Sequence, residues 1–533
     1  MEAPTASVRH QRGRWFGLVA ITLGVAMIIV DASIVNVAIP TIIRELGIGI
    51  TQAEWANSIY SLVFASLLIT FGRFGDLFGR RLMFLIGLAV FLAASLLTAE
   101  AQSGTILLTG RLLQGVGGAF ILPATLSIVN ANFRGRERAI AFGIWGSTIG
   151  GMAALGPLAG GWFTTHLSWR WAFYVNVPVA IVAFIGALLF VAESRDDHPA
   201  RGVDLSGIAL STFGFAAIVF GLIEGQTYGW WEAKRTFLGV DFGSTSVIPA
   251  AFVLGVVALV AFVLIEQARG RARKPVLLDL TLFRIPSFRY GTAAVLIVGL
   301  GELGLVFVIP LFLQSVLGLT AFKTGVILAA LAGGAFVAGG VAAQVTNRIG
   351  ARRVVQIGLG TEVIGITAVG LTFATHRSAW EFCPQLFIYG LGVGLATAQL
   401  TSVILADIPR AQSGQGSGMQ STSRQVGSAV GIAILGTALT LGLNSGTRAK
   451  IEALPNVPAA MKAQIITSVE QSGGAILPQL RADHAATPVI AAVEEAFVGS
   501  ARRAAFIAAG FVFLGFLASL RLPPNTGERE RSE

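Results

Sequence analysis

Runs of about twenty apolar residues recur from one end of this chain to the other, and that recurrence decides what it can fold into. In hydrocarbon every backbone N–H and C=O must be satisfied within the protein, so only helices and closed barrels span a bilayer. The runs are continuous rather than alternating, which reads as helices and not as barrel strands. Composition agrees: of 533 residues, 54% are hydrophobic and 12% are charged, where soluble domains carry about 25% charged residues. The single cysteine, Cys383, excludes a disulfide scaffold. The first run is too long, and followed by too many others, to be a cleaved signal. A net charge of +10 does not make the chain a nucleic-acid binder, because cytoplasmic loops give membrane proteins such an excess.

Fourteen spans are read. They are Phe16–Ile39, Trp55–Phe74, Leu82–Thr98, Thr105–Val129, Ala139–Phe163, Ala172–Val191, Leu205–Glu224, Val247–Ile265, Tyr290–Leu313, Lys323–Val345, Val354–Ala374, Phe382–Leu405, Gly414–Leu441 and Arg503–Leu520. With the N-terminus inside, the inner loops, tails and adjoining span ends hold 24 of the 38 Lys+Arg, and the outer ones hold 12. That bias places both termini in the cytoplasm. Residues 442–502 form a long outer segment. Met461, Ile465 and Val469, and again Val489, Val493 and Phe497, recur at helical spacing there, which fits two surface helices; the alternative is an irregular loop.

The connection after span 2, Gly72–Arg81, echoes the one after span 10, Ala343–Arg353. Aligning Gly79 with Gly350 sets Asp76 opposite Asn347. Read as a repeat rather than as chance, this gives two six-helix bundles with spans 7 and 8 inserted between them. The division is a tail at 1–15, one bundle at 16–191, the inserted pair at 205–265, and a connection at 266–289. A second bundle follows at 290–520, and a tail at 521–533.

Charges inside spans mark chemistry, because each costs roughly 2.5–3.5 kcal/mol at a helix centre. Asp31 lies eight residues before the end of span 1, about 12 Å deep at helical rise. Arg111 lies about 9 Å deep in span 4. An acid and a guanidinium at similar depth suit a proton site; a purely structural ion pair is the plainer alternative. Gly150, Gly156, Pro157, Gly160 and Gly161 of span 5 suit a close, bendable helix seam. Asp76 sits at the C-terminal end of its helix, the wrong end for an acid. It should find an arginine, Arg80 or Arg81, or the glycine-rich start of span 13 at Gly414, a link that would hold the inner side shut. Glu302 and Glu362 are candidate cavity acids, with local pairing as the alternative. No metal cluster, phosphate loop or nucleophile–base set is present, so neither an enzyme nor a cofactor is expected.

In order, these stretches resemble the major facilitator superfamily, and within it the fourteen-helix drug:proton antiporter branch (the EmrB/QacA type). Asp31–Pro40, Gly72–Arg81, Arg111–Gly115, Gly150–Gly161, Trp169–Pro178 and the LIEGQTYGW around Glu224 carry the resemblance. It implies an all-α membrane protein with the major facilitator fold and fourteen transmembrane helices. It associates Asp31 and Arg111 with proton coupling and Asp76 with gating; no family role transfers to Glu302 or Glu362. The expected protein is a proton-coupled exporter of amphipathic or cationic hydrophobic compounds in the plasma membrane of a prokaryote. An exporter of one native lipid or metabolite, and a channel, are the rival readings. The expected partners are the bilayer, a small-molecule substrate and protons, with no nucleic acid. The chain is expected to act as a monomer, and a partner in the cell envelope is left open.

Overall fold

The computed structural model describes residues 5–48, 50–196, 202–237, 243–455, 457–472, 477–482 and 487–523. The remaining parts of both tails and of the outer segment lie outside the described residues. Among the described residues there are fourteen helices of fifteen residues or more. They are α1 (Thr5–Leu46), α2 (Ile50–Phe78), α3 (Arg80–Ala99), α4 (Gly104–Asn132), α5 (Gly135–His166), α6 (Asn176–Phe190) and α7 (Leu205–Tyr228). Then come α8 (Val247–Arg271), α9 (Pro286–Ser315), α10 (Ala321–Ile349), α11 (Ala351–Thr372), α12 (Phe382–Ile404), α13 (Ser413–Glu452) and α14 (Thr487–Ser519). Thirteen of these regions are long and apolar enough by themselves to cross a membrane. The other, α5, opens on Arg136, Glu137 and Arg138 and is rich in glycine.

Short polar side chains start the helices where the apolar runs begin. Ser103, Asp204, Ser246 and Thr320 each accept a backbone N–H of the first turn of α4, α7, α8 and α10, the usual way to satisfy an orphan donor. Glycine makes the sharpest joints. Gly79 (φ +121) alone separates α2 from α3, and Gly350 (φ +86) alone separates α10 from α11. Those backbone angles favour a residue without Cβ.

The helices form two bundles. In the first, α1 packs on α5 and α6, and α4 on α2 and α3. In the second, α13 packs on α9 and α14, and α12 on α10 and α11. The bundles meet through α5 on α10 and α12, and through α2 and α4 on α13. The inserted helices α7 and α8 pair with each other; α7 touches both α2 and α13, while α8 turns Val253, Val257 and Val260 outward.

The outer segment differs from its reading in the sequence. α13 runs on to Glu452 and α14 begins at Thr487, so both helices continue well past the predicted span ends. Ile465 and Val469 lie on a short helix, Ala459–Ser472, with their side chains buried. Val489, Val493 and Phe497 do not form a second surface helix. They are the buried face of the first turns of α14. The hydrophobic period there belongs to the packed start of a span. Phe497 joins Phe312, Phe373 and Phe382, with Phe312 at 4.7, 5.8 and 6.2 Å from Phe373, Phe382 and Phe497. This cluster ties α9, α11, α12 and α14 together.

Truncating Phe497 to alanine removes a fully buried ring, a change that costs about 3–5 kcal/mol. The melting temperature of the detergent-solubilised protein should drop clearly for Phe497→Ala. Val253→Ala, on the outward face of α8, should melt with the wild type. Equal melting of all three proteins would refute the packed start of α14.

Candidate functional site

Three polar clusters among the described residues contain the charges predicted within or beside the spans. The first is built on α1 and α4. Asp31 and Arg111 are both fully buried, with Arg111 Nη1 2.6 Å from Asp31 Oδ2. Arg111 Nε donates to the Ala56 carbonyl at 2.9 Å, Nη1 also donates to Gln114 Oε1, and the guanidinium lies 4.3 Å from the centre of the Tyr60 ring. Asp31 Oδ1 accepts from Gln114 Nε2 at 2.8 Å and from Asn176 Nδ2 at 2.9 Å. Ser95 Oγ accepts from both of those amides. One negative charge meets one positive charge, and each carboxylate oxygen is hydrogen-bonded. That satisfaction is what makes a charge tolerable at this depth.

Asn176, Ser95 and Tyr60 were not singled out in the sequence as site residues. Asn176 lies in the Trp169–Pro178 stretch, whose distinctive residues now acquire separate tasks. Trp169 Nε1 and Arg170 Nη1 both donate to Glu45 near the end of α1, while Asn176 reaches Asp31.

The second cluster closes the end of the molecule where α2 meets α3. Asp76 is fully buried; its Oδ1 accepts from Gly414 N at 2.7 Å and from Arg80 Nη2 at 2.8 Å, and its Oδ2 accepts from Gln415 N at 2.9 Å. It thus stands at the wrong end of its own helix and the right end of α13, where free N–H groups and the helix dipole favour an anion. Gly414 has to be small, since a Cβ there would come within 2.7 Å of Asp76 Oδ1. Arg80 also donates to the Arg410 carbonyl, and Ser127 and Asn130 of α4 donate to Ser413. Gln399 of α12 donates to the Ala139 carbonyl of α5. Apart from Arg80 to Asp76, which lies within the first bundle, these bonds join the two bundles at the same end.

Arg81, one of the candidate partners of Asp76, does not enter this cluster. One residue past Arg80 on a helix points about 100° away. Arg81 instead donates to the Val191 carbonyl, and Glu193 accepts the backbone N–H groups of Arg81 and Leu82. Glu193 therefore caps α3 from the end of α6, a role with no signal in the local sequence.

The third cluster lies in the second bundle. Arg424 Nη2 sits 2.9 and 3.0 Å from the two carboxylate oxygens of Glu302. Tyr389 donates to the Glu302 backbone carbonyl at 2.8 Å, and Glu362 is buried nearby on α11. Arg424 carried the same signal as Arg111, an arginine alone within a span, but its partner could not be chosen without distances.

The span 5 residues form the seam between the first two elements of the site and the other bundle. Gly156 lies against Ser33 of α1, two residues from Asp31, and a Cβ added to Gly161 would stand 3.5 Å from Phe322 of α10. Pro157 and Gly160 fall between them, and Gly150 precedes them on the same helix, which continues unbroken to His166.

A profile of the Major Facilitator Superfamily matches residues 21–432. The multidrug resistance protein Stp of Mycobacterium tuberculosis is 32% identical over 514 residues, which is 95% of this chain and 92% of Stp. The puromycin resistance protein pur8 of Streptomyces alboniger is 33% identical and covers 80% of this chain and 82% of its own. In fold, the chain is similar to the human organic anion transporter MFSD10, with a TM-score of 0.59 at 12% identity, over 95% of this chain and 99% of the other.

Replacing Asp76 by asparagine keeps the shape and removes the charge that draws the α13 N–H groups. Hydrogen bonds to charged groups are worth about 1.5–3 kcal/mol each, so the closed end should open at least about tenfold more often. In a Cys383→Ser background, alkylation of Ser417→Cys, a position buried at that contact, should speed up by at least that factor when Asp76→Asn is added. An unchanged alkylation rate would remove Asp76 from the closure.

Proposed function

The chain belongs to the major facilitator superfamily, and from that premise we propose that it exports amphipathic, cationic or hydrophobic compounds, antibiotics among them, from the cell in exchange for protons. It is a multi-pass transporter of the plasma membrane. Relatives named for multidrug and puromycin resistance, aligned over most of both chains, support the substrate class. We place both termini in the cytoplasm, which sets the Asp76 closure on the cytoplasmic side, and we take the working unit to be one chain.

The observation that carries the proton coupling is the buried Asp31–Arg111 pair, in which both carboxylate oxygens of Asp31 accept hydrogen bonds. A proton arriving at Asp31 cancels the charge that Arg111 faces. Arg111 keeps the Ala56 carbonyl, Gln114 and the Tyr60 ring, so it does not become an abandoned charge. The 2.6 Å contact then loses its Coulombic part, and α1 is released from α4. Because Ser33 of α1 rests on Gly156 of α5, and α5 rests on α10, a shift of α1 reaches the seam between the bundles. Rocking about that seam exposes the interior to one side and then the other, as in transporters built from repeated halves. A substrate cation and a proton thus favour different states of the same carboxylate, and one drives out the other.

Cells expressing the protein should extrude a fluorescent organic cation, and a proton uncoupler should abolish the extrusion. In reconstituted vesicles, Asp31→Asn should lose at least about tenfold of the pH-driven accumulation, equivalent to about 1.4 kcal/mol or more, while downhill exchange of substrate continues. Accumulation by Asp31→Asn that equals the wild type's after a pH jump would move the coupling away from Asp31. Export by the wild type that ignores the uncoupler would overturn the proton-driven reading as a whole.

A further inference from the structure

Each bundle holds an acid against an arginine, but the two centres do not balance in the same way. In the first bundle one carboxylate meets one guanidinium, and the centre is neutral with Asp31 ionised. In the second bundle two buried carboxylates lie near one guanidinium, and Glu302 is the one it contacts. Arg424 commits its Nη2 to both oxygens of Glu302, at 2.9 and 3.0 Å. Glu362 is 1% exposed, and its Oε1 has no hydrogen-bond partner among the described residues.

The groups around Glu362 can be named helix by helix. Glu302 comes from α9, Arg424 from α13 and Tyr389 from α12. The Tyr389 hydroxyl is already used on the Glu302 backbone carbonyl. Gly392 of α12 backs onto the main chain of Glu362, and α14 meets α11 through Ala505 against Gly370. None of these offers Glu362 a second cation. With both glutamates ionised, the cluster would keep an unbalanced negative charge inside the membrane, at a cost of several kcal/mol. One proton removes that charge.

We propose that Glu302, Arg424 and Glu362 form a second proton-binding centre in which Glu362 carries the proton as a neutral carboxylic acid, so that each cycle moves one proton there besides the one exchanged at Asp31. The inference rests on the proton-driven reading above. The step is a proton transfer alone. The O–H bond of Glu362 breaks, the carboxylate takes its electron pair, and the proton passes to water on the side to which the interior is open. Arg424 compensates the new charge by turning from Glu302 toward Glu362, and protonation reverses the turn. In the conformation described, the first centre is neutral with its proton off and the second is neutral with its proton on.

The test uses the full chain in vesicles with the membrane potential clamped at zero and ethidium as the cation. Two coupled protons give about a hundredfold accumulation per unit of pH difference, and one gives about tenfold. The wild type should follow the steeper line and Glu362→Gln the shallower one. Infrared difference spectra supply a second readout that needs no transport. The wild type at neutral pH should show the carbonyl band of a protonated carboxylic acid, and Glu362→Gln should lack it. Glu302→Gln frees Arg424 for Glu362, so there the band should persist only at lower pH. An unchanged slope in Glu362→Gln overturns the proposal, and so does a protonated-acid band that survives it. A wild type without any pH-dependent accumulation would instead sink the proton-driven reading, and the infrared arm would still decide whether Glu362 holds the proton.

Discussion

A charge inside a bilayer has to be met by an opposite charge or by a full set of hydrogen bonds, and much of this molecule is arranged around that demand. Asp31 draws α1, α4 and α6 to one point through Arg111, Gln114 and Asn176. Asp76 draws the end of α2 to the start of α13, and so one bundle to the other. Glu302 draws α9 to α13. The apolar surfaces around these points supply most of the packing, but lipid tails are as apolar as leucine, so apolar contact alone does not fix which helix meets which. The buried polar clusters do.

The two bundles use this demand differently. In the first, one carboxylate faces one guanidinium, with every oxygen of Asp31 engaged. In the second, Glu362 Oε1 has no hydrogen-bond partner among the described residues, beside the Glu302–Arg424 pair. Between them, α5 presents small residues to α1 on one side and to α10 on the other. A polar switch and a close sliding surface are thus joined through Ser33 and Gly156, within one turn of Asp31.

Much of this was readable in the residues. The apolar runs became long helices, thirteen of them apolar enough among the described residues to cross a membrane, because hydropathy is a local property and the bilayer rewards it directly. Asp31, Arg111 and Asp76 stood out because charges are rare within spans. What stayed hidden was pairing. Asn176 and Ser95 are ordinary polar residues until distance puts them on Asp31, and Glu193 lies 111 residues from the Leu82 N–H that it caps. Arg80 and Arg81 are equivalent candidates for Asp76 in the sequence, and only the helix turn, which points Arg81 away, separates them. The ends of α13 and α14 were placed too early and too late because their outer turns carry charged residues on faces turned away from the core. Apolarity fades there although the helix does not, and the buried stripe of Val489, Val493 and Phe497 was the surviving trace.

The single-residue joints bear on how such a chain can change its length. Gly79 alone separates α2 from α3. One inserted residue there would rotate α3 by about 100° and advance it by about 1.5 Å. Arg80 would leave Asp76, and the backbone N–H groups of α3 would leave Glu193. Gly350 imposes the same condition on α10 and α11. The stretch between Glu452 and Thr487 joins helices that are held by their own buried faces, so it can gain or lose residues without turning either helix. Insertions and deletions accumulated over descent should therefore gather between α13 and α14 and be purged from the two glycine joints, which makes the spacing of those joints a better ruler for aligning distant relatives than the overall length of the chain.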